Sequence, residues 1–144
     1  MLASNTMRPT YETEEDLKRE TEISLIVSQA FKCELRKLHK YNQFDYAAIR
    51  NGKIVAFLEM RRRNNNMSKY PTMIVSMNKV LSAHLVKIAA NLETFFVVMW
   101  DDCVGYTSLS RQFEVQVGGR IDRNDLADIE AVCHIPIKDF VAIT

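Results

Sequence analysis

The chain is short of the residues that mark several protein classes. Its three cysteines, Cys33, Cys103 and Cys133, are odd in number and form no CxxC pair. That pattern points away from a disulfide framework or a zinc knuckle and towards buried thiols in a reducing setting. The four glycines build no glycine-rich phosphate loop, and neither GxSxG nor HExxH occurs. No apolar run approaches the ~18 residues of a membrane-spanning helix. The opening stretch, MLASNTMRPTYETEED, has no hydrophobic signal region, so a cytoplasmic location is expected. Excess charge of one sign is missing too. Nineteen Lys and Arg stand against eighteen Asp and Glu, for a net +1. This balance argues against a uniformly basic nucleic-acid coat and leaves a local basic patch open. No internal repeat is present.

What remains is an ordinary globular composition, 47% apolar and 26% charged over 144 residues, long enough for one domain with a proper core. Residues 1–10 read as a flexible lead ending near Pro9, and residues 11–144 as a single domain. A helix is expected over 11–31, with Thr13 as N-cap and acids in its first turn. Leu17, Ser24, Val27 and Phe31 form its inward stripe, flanked by Ile23, Ile26 and Ala30. Glu20 lies on that stripe. It either snorkels to water at the edge or has a partner or a cation. A short strand follows over 33–39, and a polar loop spans 61–72. A helix capped by Ser76 runs to about residue 90, with Val80, Leu81, His84, Leu85 and Ile88 inward, His84 being a satisfied core histidine. Residues 94–100, TFFVVMW, read as a strand buried on both faces. Edge strands are expected over 105–109 and 113–117, then a charged loop over 118–130. In the last strand, over 132–137, alternation sends Cys133 and His134 apart.

The chain is organised around residues 44–63, FDYAAIRNGKIVAFLEMRRR. Asn51-Gly52 joins two runs of strand composition, a strong hairpin signal. Asp45 leads into the first strand and Glu59 leads out of the second. A two-residue turn pairing 50 with 53 would put these acids on opposite faces. A three-residue turn, with Gly52 left-handed, would instead pair Ile49 with Lys53. Asp45 then faces Phe57, and Glu59 lies one diagonal step away on the same face, followed by Arg61. The second register is the expectation. Two converging carboxylates suit a hard cation such as Mg²⁺, which can polarise a phosphodiester. The alternative is a pair of solvated strand-end charges.

The order helix–strand–hairpin–helix–strand, with Asp45 and Glu59-Met60-Arg61 on the hairpin, resembles the PD-(D/E)XK nuclease superfamily. The likeness is nearer still to small bacteriophage-encoded members, and it covers about residues 11–143. Their LxxE matches Leu17 to Glu20, their DYA strand Asp45-Tyr46-Ala47, and their ExKxR strand end Glu59, Arg61 and Arg63. Tyr70-Pro71-Thr72, Ser76 to Lys79, the run from Gly118 to Glu130 and His134 to Ile137 match further stretches. The resemblance implies an α/β (α+β) fold with a restriction-endonuclease-like core, ordered α-β-β-β-α-β plus a β-rich tail. It implies a DNA endonuclease in the cytoplasm of an infected host, using Mg²⁺ or Mn²⁺ held by Asp45, Glu59, Glu20 and the Met60 carbonyl.

One departure stands out: Arg61 occupies the position of the motif lysine. Arginine stays protonated, so it can stabilise phosphoryl charge but is a poor base. Lys79, from the second helix, is the candidate replacement. Arg62, Arg63, Lys69 and Tyr70 are the expected DNA contacts, and a homodimer is the expected assembly. The alternative reading is a catalytically degenerate member that binds DNA or a protein through the same face.

Overall fold

The computed structural model describes residues 14–119 and 129–144. The expected lead, the Thr13 cap and most of the 118–130 loop lie outside the described residues. Helix α1 (Glu14–Phe31) buries Ile23 and Val27, while Leu17 stays 44% exposed. The hydroxyls of Thr21, Ser24 and Ser28 donate to carbonyls one turn back and so need no outside partner. The helix gives way at Lys32, whose φ of 51° is left-handed.

Six strands form the main sheet, in the order β1-β2-β3-β5-β6-β9. They are β1 (Glu34–Lys37), β2 (Tyr46–Arg50), β3 (Lys53–Arg62), β5 (Glu93–Met99), β6 (Val104–Ser108) and β9 (Val141–Ala142). Strands β3 and β5 run parallel; the other neighbours are antiparallel. Phe96, Val97 and Val98 are fully buried, which is what a continuous apolar run with both faces covered requires. The parallel connection is made through α2 (Met77–Ala90). As the sequence suggests, the Ser76 side chain accepts from the Asn78 backbone N–H to cap it, and Asn91 closes it in a left-handed conformation.

Three expectations are corrected. Between a loop expected to end at residue 72 and a helix expected to start at Ser76, residues 72–76 form an unexpected strand, β4 (Thr72–Ser76). It pairs with β8 (Ile129–Pro136), which pairs with β7 (Glu114–Gly119), in a second, three-stranded sheet. Strand β6 is not an edge, because β9 covers its outer side. On α2 the inward face is Val80 and Ala83, with Met77 and Val86 packed nearby. Leu81, Leu85 and Ile88 are 49%, 66% and 82% exposed. The helix therefore sits rotated relative to its apolar stripe, with Val80 and Ala83 turned to the core.

Two cores result. On one face of the main sheet, Ile23 and Val27 of α1 meet Tyr46, Leu58, Met60 and Val97. On the other, α2 and the second sheet meet Phe44, Phe96, Val98 and Trp100. His84, half-buried on α2, has its Nε2 2.8 Å from the Arg111 carbonyl.

Candidate active site

The β2–β3 hairpin places both acids, by a route the sequence reading did not take. Arg50 pairs with Lys53 across a two-residue turn, with Asn51 and Gly52 at φ 53° and 75°. Both central residues are thus left-handed, the conformation that Asn-Gly favours and that matches strand twist. The expected three-residue turn is not formed. Instead the register shifts between Ala48 and Ile49, which pair with Ala56 and Ile54, so Val55 is an extra residue on β3. Tyr46 then pairs with Leu58, and the Asp45 N–H donates to the Leu58 carbonyl at 3.0 Å. Continuing that register would set Asp45 opposite Glu59, and the Asp45 charge is close enough to act on the Glu59 carboxyl. One bulged residue restores the parity that the tight turn would have broken.

Glu59 is the most unusual side chain of the fold. It is 4% exposed and lies in register with Phe96, on the α2 side of the sheet. The Lys79 ammonium stands 3.4 Å from Oε1 and the Arg61 guanidinium 3.4 Å from Oε2. Nevertheless Oε1 is buried without a hydrogen bond. Burial and the Asp45 charge push the Glu59 carboxyl up to about 7, against the opposing pull of Lys79 and Arg61. Asp45 is half-buried, and its Oδ2 accepts from the Met60 N–H at 2.9 Å. Lys79 is anchored by the Gln43 carbonyl and lies 5.9 Å from the centre of the Phe44 ring.

Glu20 comes to the same strand end from the opposite face. Its carboxylate accepts from Lys37 at 3.0 Å, and its charge acts on the Tyr46 hydroxyl. Burial, then the Glu20 charge, pushes that hydroxyl above the usual phenol range. A cleft of about 330 Å³ wraps the strand end and is lined by Glu20, Asp45, Met60 and Arg61, with Arg19 and Lys37 across from them. Glu59 and Lys79 form no part of its wall. Arg19 and His39 also line the cleft. Neither carries a sequence signal of its own, since each is brought there only by how α1 and the β1–β2 connection pack.

The predicted DNA contacts divide. Arg62 is tied inward, donating to the Met99 carbonyl at 3.1 Å and the Asp101 carboxylate at 2.7 Å. Arg63, Lys69 and Tyr70 are exposed, with the Lys69 ammonium 5.5 Å from the centre of the Tyr70 ring.

Among the described residues, no group of three or more His, Cys, Asp or Glu side chains is placed to hold a metal ion. The donor set nearest to one is the pair Asp45 and Glu59. Two hard oxygen ligands with a buried, unbonded Oε1 fit an ion such as Mg²⁺, which takes few carboxylates and keeps several waters.

A family model described as phage putative PDDEXK endonuclease matches residues 6–143. No curated protein matches the sequence. Among solved structures the chain is similar to Hjc, a Holliday junction resolvase from Archaeoglobus fulgidus, an archaeal hyperthermophile. The TM-score is 0.51 at 12% identity, over 70% of this chain and 80% of that one. The mixed sheet with its two helices is thus a restriction-endonuclease-like fold, as the resemblance implied.

Proposed function

We propose, for a chain that belongs to the family of phage putative PDDEXK endonucleases, that its reaction is divalent-metal-dependent hydrolysis of phosphodiester bonds in DNA. The observation that carries this is Glu59, a buried carboxylate on which the Asp45 charge acts, whose Oε1 has the Lys79 ammonium 3.4 Å away and no hydrogen bond. Burying a carboxylate in this way costs stability unless something compensates it. A nuclease site supplies a reason to keep it.

In this reading Asp45, Glu59, the Met60 carbonyl and Glu20 would hold Mg²⁺ or Mn²⁺. When bound, such an ion polarises the phosphodiester and lowers the pKa of water. Arg61, 42% exposed at the cleft, binds the phosphoryl oxygens as their charge grows. Lys79 stands in for the motif lysine, orienting the attacking water with an ammonium already within 3.4 Å of Glu59. Arg63, Lys69 and Tyr70 take the flanking DNA, and Arg62 steadies the strand end from which they project. A homodimer, each subunit acting on one strand in the host cytoplasm, completes the reading.

One observation favours the alternative, a DNA- or protein-binding member that has lost chemistry. Arg61 and Lys79 already neutralise Glu59 without any metal. Supercoiled and single-stranded DNA incubated with Mg²⁺ or Mn²⁺ separates the two. The nuclease reading expects cleavage that Asp45→Asn abolishes, and a rise in Tm on adding Mn²⁺ that the same variant loses. No cleavage, no Mn²⁺-induced rise, and continued silence of Arg61→Lys would leave only the binding reading.

A further inference from the structure

Past Arg61, strand β3 ends at a second hollow, of about 310 Å³, lined by Arg63, Asn65, Tyr70, Thr72, Ile74 and Trp100 among others. It is separate from the cleft that holds Asp45. Its lining is largely apolar: Trp100 is 4% exposed, while Ile74 and Tyr70, 47% and 55% exposed, remain open to solvent. Size and lining are those of a site for one flat small molecule or a single ring.

The charge around the hollow selects the kind of ring. Arg61 is paired to Glu59 and Arg62 to Asp101. Arg63 and Lys69 have no carboxylate partner among the described residues. Arg63 instead stands near the like charge of Arg61, an arrangement that an incoming anion relieves. Two unmatched cations beside an exposed aromatic ring and an apolar recess call for a ligand with a negative group attached to a flat ring. A nucleotide has both. The recess also holds the Thr72 hydroxyl, 3.0 Å from His134 Nδ1, and the Asn65 side chain, whose amide nitrogen donates to the Asn66 carbonyl while its oxygen can accept from a base edge.

Position ties the hollow to the cleft, since Arg62 lines the one and Arg63, next in the chain, lines the other. Four residues of strand separate Glu59 from Arg63, about 13 Å at ~3.3 Å per residue. That is the length of about four stacked nucleotides at ~3.4 Å each, and of fewer when they are unstacked. A base locked in a continuous duplex stack cannot enter a recess; an unpaired one can, because its faces and edges are free.

We propose that the hollow between the end of β3 and the start of β4 binds one unpaired nucleobase of the strand whose phosphate lies at Asp45. The substrate is then DNA with unpaired nucleotides beside the scissile bond, single-stranded or branched. This rests on the nuclease reading above and narrows its substrate.

Trp100 is the single tryptophan of the chain, so its fluorescence reports on the hollow directly. Single-stranded oligothymidylate and a duplex of equal length are titrated into the full chain in EDTA, and Trp100 emission is followed. A saturable change is expected with the single strand, at roughly tenfold tighter binding than the duplex. Tyr70→Ala should shrink that preference about tenfold, the loss expected for one stacked base. Ile74→Glu, an exposed change that puts an anion in the recess, should act the same way, with Tm showing both variants folded. Equal responses to both DNAs, a silent Trp100, or a preference unmoved by either variant overturns the proposal. A protein side chain as the true occupant belongs to that last result. Cleavage in Mn²⁺ that depends on Asp45, with Trp100 silent, sinks this proposal alone. A Trp100 response without cleavage in any ion supports the base site and sinks the nuclease reading.

Discussion

Glu59 shows how one residue joins stability to chemistry. Its carboxyl titrates at about 7 in the folded chain, against an ordinary value of 4.5. The folded state therefore holds this proton more tightly than the unfolded chain does. Its favourable contribution is complete below pH ~4.5 and is lost as pH rises through about 7. With metal ions chelated, unfolding stability should fall across that window, by an amount on the order of 3 kcal/mol. Glu59→Gln removes the titration, so urea melts at pH 8 should find the chelated variant more stable than the parent. Mn²⁺ should reverse the order, since it stabilises only the chain that keeps both carboxylates. A chelated parent whose stability is flat from pH 4.5 to 7 would contradict the burial of a charge at this position.

At the scale of elements, α2 separates apolar pattern from actual burial. Leu81, Leu85 and Ile88 lie on one stripe, yet the side that packs is Val80 and Ala83. Ile88→Lys should leave stability within about 0.5 kcal/mol, as for other exposed positions. Val80→Ala should cost about 1–3 kcal/mol, through lost burial and a partly unfilled cavity. Denaturant melts of the two variants check the helix's rotation; the reverse ranking would place the stripe inward. The hairpin teaches a similar lesson. Asn51-Gly52 announces the turn, but nothing in FDYAAIRNGKIVAFLE announces the bulge at Val55. The bulge falls immediately before the stretch of β3 that pairs with β5, from Ala56 with Glu93 to Arg62 with Met99.

Over the whole molecule, a net charge of +1 is compatible with DNA binding because the cations are unevenly engaged. Arg62, Lys87 and Arg19 are paired with nearby acids, while Arg63 lines the second hollow and Lys69 stands over the Tyr70 ring beside it. A patch of this kind touches few phosphates. About four contacts would give a slope near −3.6 for log affinity against log salt. Fluorescence anisotropy of a labelled duplex across a salt series measures it, and removing Arg63 should flatten the slope by about one. A slope as steep as that of a fully basic protein would mean that a larger surface binds.

The sequence alone determined the elements that local chemistry dictates: the Ser76-capped helix, the doubly buried strand, the Asn-Gly turn, and the motif that led to the fold. It could not assign β4, because TMIVS follows a proline-broken polar loop and becomes a strand only by pairing with β8, some sixty residues later. Nor could it say which carboxylates meet. Whether Asp45 and Glu59 share a face depends on a one-residue shift at Val55. Whether Glu20 joins them depends on which face of the sheet α1 covers. Such distances between residues far apart in the chain follow from how strands register and helices rotate as they pack, so tertiary structure alone decided them.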